Sequence, residues 1–256
     1  MSYFLKKIKD KGGSNMKKEV PEKVSQNEVV FKVEEIEPLL SGPALDFPHW
    51  TPVYITLPSG KTMVIREMRK EEAPLLIPTL KNLLDVDHDF YDIVGSRVLA
   101  EVLGWMRNRL KDPYQLVGIV DGKLAAFCNG RSVNKDINIS LHTLAFMRGV
   151  KAGLVMYYAK AYLCFEVFGQ KEFWATYESY NGWKRWGVGM AQPSYPWPDV
   201  QHELGGARVY YITREYWQST VKKYLEDMIG STFQSPVPED LLKSAEHFEV
   251  PEGLEE

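Results

Sequence analysis

The chain has 256 residues, 45% hydrophobic and 25% charged, with 31 basic against 34 acidic side chains and a net charge of −3. That composition supports a packed core and excludes a disordered, collagen-like or coiled-coil chain. The missing basic excess argues against a nucleic-acid binder, and no run reaches the roughly 18 apolar residues of a membrane span. Two cysteines, Cys128 and Cys164, exclude a disulfide framework and a multi-cysteine zinc site. Both sit in apolar runs and read as buried thiols of a reducing compartment. Met1 to Lys11 puts a short apolar patch before its lysines, the reverse of a secretory signal, so the expected location is cytoplasmic.

Residues 1–52 read as an N-terminal extension, partly disordered, with Met16 as an alternative start; 53–230 is the folded domain, and 231–256 an acidic, Pro/Glu-rich tail with a helical stretch at 239–248. The β-branched runs 53–57 and 62–67 flank Pro58-Ser59-Gly60 and predict a hairpin. A helix follows over 69–84, with a kink or break expected at Pro78. Asp92 is placed to cap a helix over 93–110, whose stripe is Val94, Val98, Val102, Met106 and Leu110. Strands at 114–120, 124–133 and 137–147 meander through Asp121-Gly122 and Asn134-Lys135-Asp136. Residues 150–168 form a helix apolar on nearly every face, ended by Gly169. A strand at 172–176, a short helix at 180–186 closed by Gly187, strands at 188–192 and 208–212, and a helix capped by Thr213 and stopped by Gly230 complete the pattern. The fold class is α/β with a mixed, largely antiparallel sheet flanked by helices on both faces. The β-helix-β unit around Val150 adds one parallel crossover.

Two motifs carry chemistry. Arg148-Gly149-Val150-Lys151-Ala152-Gly153 leads into the apolar helix, where unpaired amides and the helix dipole favour an anion. Tyr180-Asn181-Gly182-Trp183-Lys184-Arg185-Trp186-Gly187-Val188 follows the later strand. With the element order, these resemble the GNAT acyltransferase superfamily over roughly residues 62–212. In that family the first motif reads Arg/Gln-x-x-Gly-x-Gly/Ala; Arg148 and Gly153 match, Lys151 replaces the middle glycine, and Gly149 lies two residues earlier. In the second, Gly187-Val188 take the Gly-Phe place and Arg185 a lysine's, while Trp183 replaces the tyrosine that protonates the leaving thiolate.

The resemblance implies an acyl-CoA-dependent N-acyltransferase, with acetyl-CoA as the simplest co-substrate, no metal, and a primary amine of a small molecule as acceptor. Leu144, Ala145, Arg148, Gly149, Lys151, Ala152 and Gly153 would hold the cofactor, the strand amides at Leu144 and Ala145 polarising the thioester carbonyl. Tyr180, one turn before Trp183, stands in as acid. His142 and Glu178 are the base candidates, imidazoles titrating near neutral pH. Asp85, Asp87 and Asp89 would draw a cationic acceptor. They do not form a calcium loop, because Phe90 and Ser96 occupy the glycine and glutamate places. Pro193 to Asp199 is a stiff aromatic loop able to roof the acceptor pocket. A non-catalytic binding module and a protein or peptide acceptor are the alternatives, and the apolar helix leaves room for a homodimer.

Overall fold

A computed structural model of the chain describes residues 44–196, 201–202 and 205–252. The expectations for the arm 1–43 with Met16, for Trp197 to Asp199 and for residues 253–256 lie outside the described residues. Seven strands form one sheet in the order β1 (Val53–Thr56), β2 (Thr62–Glu67), β3 (Pro113–Val120), β4 (Lys123–Ser132), β5 (Ile137–Ala145), β6 (Glu172–Ala175) and β9 (Tyr210–Thr213). A two-stranded ribbon of β7 (Gln201–His202) and β8 (Gly205–Arg208) lies apart from it. All neighbouring pairs in the large sheet are antiparallel except β5 with β6.

The parallel pair needs a crossover, and the apolar helix supplies it: α3 (Ala152–Tyr162), continued by a π-helical turn Leu163–Val167. Alternation along the strands then builds two cores. After β6 comes the short helix α4 (Tyr180–Gly182, continued by Trp183–Val188), and Met63 and Ile65 of β2 and Leu116 of β3 pack on α3 and on α5, whose segments Arg214–Tyr216, Trp217–Val221 and Lys222–Ile229 run on from one another. Val64, Val117 and Phe127 face α1 (Ala73–Asn82) and α2 (Tyr91–Met106). A glycine at 118 admits α3 to the sheet, since a Cβ there would lie 1.8 Å from Met63 Cε and 2.9 Å from Met156 Sδ.

The segment after α5 packs against the α1/α2 face. It carries α6 (Glu239–Ser244), and beyond it Ala245 and Phe248 are buried in that core. Arg66 Nε donates to Ala245 O at 2.8 Å, while its guanidinium pairs with Glu72 at 2.6 Å. Burial works to raise the Glu72 carboxyl; hydrogen bonds from Arg66 and the Arg69 N–H outweigh it and hold the group below its ordinary value.

Four local expectations are corrected. Helix α1 runs through Pro78 to Asn82, held by buried Leu76 and Leu80 on either side. Helix α2 begins at Tyr91 after a left-handed Phe90 (φ 62°), so Asp92 sits in its first turn, where a carboxylate suits the dipole, rather than at the cap. It ends at Met106: Asn108 turns left-handed, and Leu110 folds back to the open position beside Gly104. Residues 188–192 are no strand, because Ala191 and Gln192 donate to the carbonyls of Val188 and Gly187 and close a helical turn.

Candidate active site

Strands β5 and β6 pair only from Ile137↔Glu172 to Ser140↔Ala175. Beyond that they diverge, and a fork opens between residues 141–145 and 176–179. Opposite Asn129 of β4 the register shifts, so that β5 is bulged at Leu141 and His142. The bulge re-aims the His142 side chain, buried at 5% exposure, toward α2.

Two cavities fill this region. The larger, of about 680 Å³, is lined by Thr143, Leu144, Ala145, Arg148, Gly149, Lys151, Ala152, Gly153 and Leu154 on one side and by Ser179, Asn181, Gly182, Arg185 and Trp186 on the other. The smaller, of about 110 Å³, lies in the fork and is lined by His142, Tyr157, Lys160, Tyr177 and Glu178. Thr143, Ser179, Gly182 and Trp186 line both. All seven residues expected to hold a cofactor therefore surround one space, and both base candidates line the smaller cavity beside it.

At the N-terminus of α3 the first intrahelical amide bond is Val155 N–H to Lys151 O at 3.1 Å. The amides of Ala152, Gly153 and Leu154 precede it and lack intrahelical acceptors. Arg148, Lys151 and Arg185 put three cations around the mouth against one carboxylate, Asp89. Lys151 is left-handed at φ 63°, the conformation the missing glycine would adopt freely. Its Nζ donates to Met228 O at 2.6 Å, so the side chain is tethered at the edge of the cavity. Gly153 lets the helix approach β5: a Cβ there would lie 3.2 Å from Ala145 Cβ.

Phe146 N–H donates to Ala125 O on β4. Amides alternate in direction along a strand, so the Ala145 N–H points the other way, into the fork, and the Leu144 N–H points to β4. Ala145 thus presents a free amide to the fork, and Leu144 lines the wall.

His142 is fixed by one contact to its ring and two to its backbone. Its Nδ1 lies 3.0 Å from Glu101 Oε2, its backbone N–H donates to Asn129 Oδ1 at 2.8 Å, and Lys160 Nζ donates to its carbonyl at 3.0 Å. Asn129 Nδ2 also donates to Glu101 Oε2, at 2.6 Å. A carboxylate only accepts, so Nδ1 carries a proton, and in the neutral imidazole the lone pair falls on Nε2. Nε2 is buried with no hydrogen-bond partner among the described residues, 4.0 Å from Glu178 Oε1. Glu178 is paired with Arg97 of α2. The opposite wall is rigid: Tyr157 stacks on Trp186 at 4.5 Å, and Gln192 bonds the hydroxyls of Tyr157 and Tyr177.

Tyr180 is not brought to the site. It is 60% exposed, borders neither cavity and lies under Lys184. Trp183 donates its Nε1–H to Tyr210 Oη at 2.8 Å. Sequence reasoning missed Glu101, Arg97, Asn129 and Lys160. Lys160 had a signal, being the one charged residue between Lys151 and Glu166 in an apolar helix; the others are placed by the bulge. Among the described residues no three His, Cys, Asp or Glu side chains converge as metal ligands would, and no helix is long and apolar enough to cross a membrane.

No protein-family model and no curated protein matches the chain. Among solved structures it is similar to Mycobacterium smegmatis RimJ in complex with CoA-disulfide, at 11% identity over 72% of this chain and 98% of that one, with a TM-score of 0.49. It is similar also to the GNAT domain of S. lividans PAT, at 14% identity over 66% and 99% with a TM-score of 0.47. A third is AAC(6')-Ib in complex with ribostamycin and coenzyme A, at 14% identity over 62% and 97% with a TM-score of 0.44. The sheet itself is mixed and largely antiparallel, with one parallel pair bridged by α3, as expected from the order of elements in the sequence.

Proposed function

We propose that the protein is an acyl-CoA-dependent N-acyltransferase, most simply moving an acetyl group from acetyl-CoA to a primary amine in a ternary complex. The observation that carries this reading is the adjacency of the two cavities: the one bordered by the α3 amides and the three cations shares Thr143, Ser179, Gly182 and Trp186 with the one lined by His142. Amides and cations suit a diphosphate, and a buried lone pair suits an amine that must lose a proton.

The residues then divide the work. Arg148, Gly149, Lys151, Ala152 and Gly153 hold the diphosphate, and the Ala145 N–H polarises the thioester carbonyl. His142, oriented by Glu101, takes the proton from the attacking nitrogen, and Glu178 stabilises the imidazolium beside it. Holding amine and thioester together in the fork supplies much of the rate. The small inner cavity favours a compact primary amine, and Asp89 at the mouth draws it as a cation.

Calorimetry with acetyl-CoA, followed by thiol release with spermidine, lysine and kanamycin, tests the reading. Binding with release supports it. Binding without release from any primary amine, peptide N-termini included, favours a non-catalytic binding module, and absence of binding at millimolar ligand with the protein folded overturns it.

A further inference from the structure

Transfer from a thioester leaves a thiolate, and the expected acids are out of place: Trp183 carries no titratable proton and Tyr180 faces solvent. A different side chain occupies the fork. Lys160 lies two turns along α3 from Gly153, about 10 Å down the helix axis. It is 1% exposed, lines the inner cavity, and its Nζ makes a single hydrogen bond among the described residues, to His142 O at 3.0 Å. An ammonium carries three donors, so two remain.

We propose that Lys160 is the proton donor to the thiolate that departs during acyl transfer. This inference rests on the acyltransferase reading above. The acceptor nitrogen forms its bond to the carbonyl carbon, the carbon–sulfur bond breaks, and sulfur takes a proton from the Lys160 ammonium. The nitrogen loses one proton to His142; release of that proton to solvent and uptake of one by Lys160 restore both side chains. Acyl thioester and amine become amide and thiol, with no further reactant.

The groups facing Lys160 explain why it suits the task. Cys128 of β4, Glu101 of α2 and Glu178 after β6 surround it, with Tyr157 on its own helix. Burial pulls its ammonium down to about 8, against which the Glu101 and Glu178 carboxylates work to hold the proton on. An acid in that range stays charged at neutral pH yet gives up its proton readily. The two cysteines do not compete: burial pushes the Cys128 thiol up to about 12.

A purely structural Lys160 would pin the bulge of β5 and affect every donor alike, which is what the test separates. Wild type, Lys160→Met and Lys160→Arg are compared with spermidine, lysine and kanamycin as acceptors and with two donors, acetyl-CoA and S-acetyl thiophenol, whose leaving thiolate needs no proton. The expected result is a fall in kcat with acetyl-CoA of about 10²–10⁴-fold in both variants. With the arylthioester, both variants stay within a few-fold of wild type. Should the variants fail to fold, wild type alone gives the second readout: its kcat falls above about pH 8 with acetyl-CoA and not with the arylthioester. Equal losses on both donors, or the same alkaline limb on both, overturn the role of Lys160 and leave the transferase reading intact. A folded wild type that releases thiol from neither donor overturns both.

Discussion

Glu101 of α2 and His142 of β5 stand 3.0 Å apart, carboxylate to Nδ1, both almost wholly buried. This contact decides which imidazole nitrogen keeps a lone pair and turns that nitrogen toward the fork. It forms because the bulge at Leu141 and His142 swings a side chain toward a helix on which Glu101 and Arg97 lie one turn apart.

His142→Ala is accordingly expected to lower kcat by about 10²–10⁴-fold. Glu101→Gln keeps the shape and removes the charge that favours one tautomer, and is expected to cost about 10²-fold. Affinity for acetyl-CoA, measured by calorimetry, stays within a few-fold of wild type for both, because neither side chain borders the α3 N-terminus. A loss of affinity equal to the loss of kcat would contradict these roles.

Lys160 also leaves a mark on stability. Its pKa is about 8 in the folded protein against 10.5 for an exposed lysine. Between those values the unfolded chain binds the extra proton, so stability rises with pH across the window, by about 3 kcal/mol at most. Urea titrations at pH 7.5, 9 and 10.5 check this. Wild type gains stability over that range relative to Lys160→Met, which lacks the group; parallel curves would show that the amine is not held in a depressed state.

Lys151 holds a left-handed backbone that costs an L-residue about 1 kcal/mol. Lys151→Gly relieves it and Lys151→Ala does not, while both lose the bond to Met228 O. The glycine variant is expected to melt about 2–4 °C above the alanine variant. Both bind acetyl-CoA more weakly than wild type at low salt if the ammonium assists the diphosphate. Tighter binding by Lys151→Gly would mean that the side chain obstructs it.

Phe248 is buried against the α1/α2 core and approached by the Arg66 guanidinium at 5.5 Å. Nearby, Leu124 N–H donates to Glu249 O and Glu249 N–H to Gly122 O. Phe248→Ala is expected to cost about 3 kcal/mol, read by chemical denaturation. A loss below about 0.5 kcal/mol, the size typical of surface substitutions, would mean that the segment does not pack as described.

The sheet was legible because its signals are local. Alternating runs, the Asp121-Gly122 turn and a helix without a polar face together dictate antiparallel strands and one buried crossover. The turn into α3 was legible for the same reason: Arg148 to Gly153 are contiguous. The inner site was legible in part. His142 and Glu178 are chemically conspicuous, but their partners are 41 and 81 residues away, at Glu101 and Arg97. A one-residue bulge sets that meeting, and periodicity carries no trace of it. Tyr180 was misplaced because spacing along a helix predicts a shared face and not which face looks inward. The strand expected at 188–192 failed because the helical turn closed by Ala191 and Gln192 overrides a β-branched start.

The account turns on the α3 amides gripping a diphosphate. The direct measurement is amide NMR of the labelled full-length protein titrated with acetyl-CoA. Saturable shifts of the Ala152, Gly153 and Leu154 amides, with Ala145 following on the acyl form and not on free CoA, are predicted. Binding that leaves those amides unmoved, or a folded protein that does not bind at all, would contradict it.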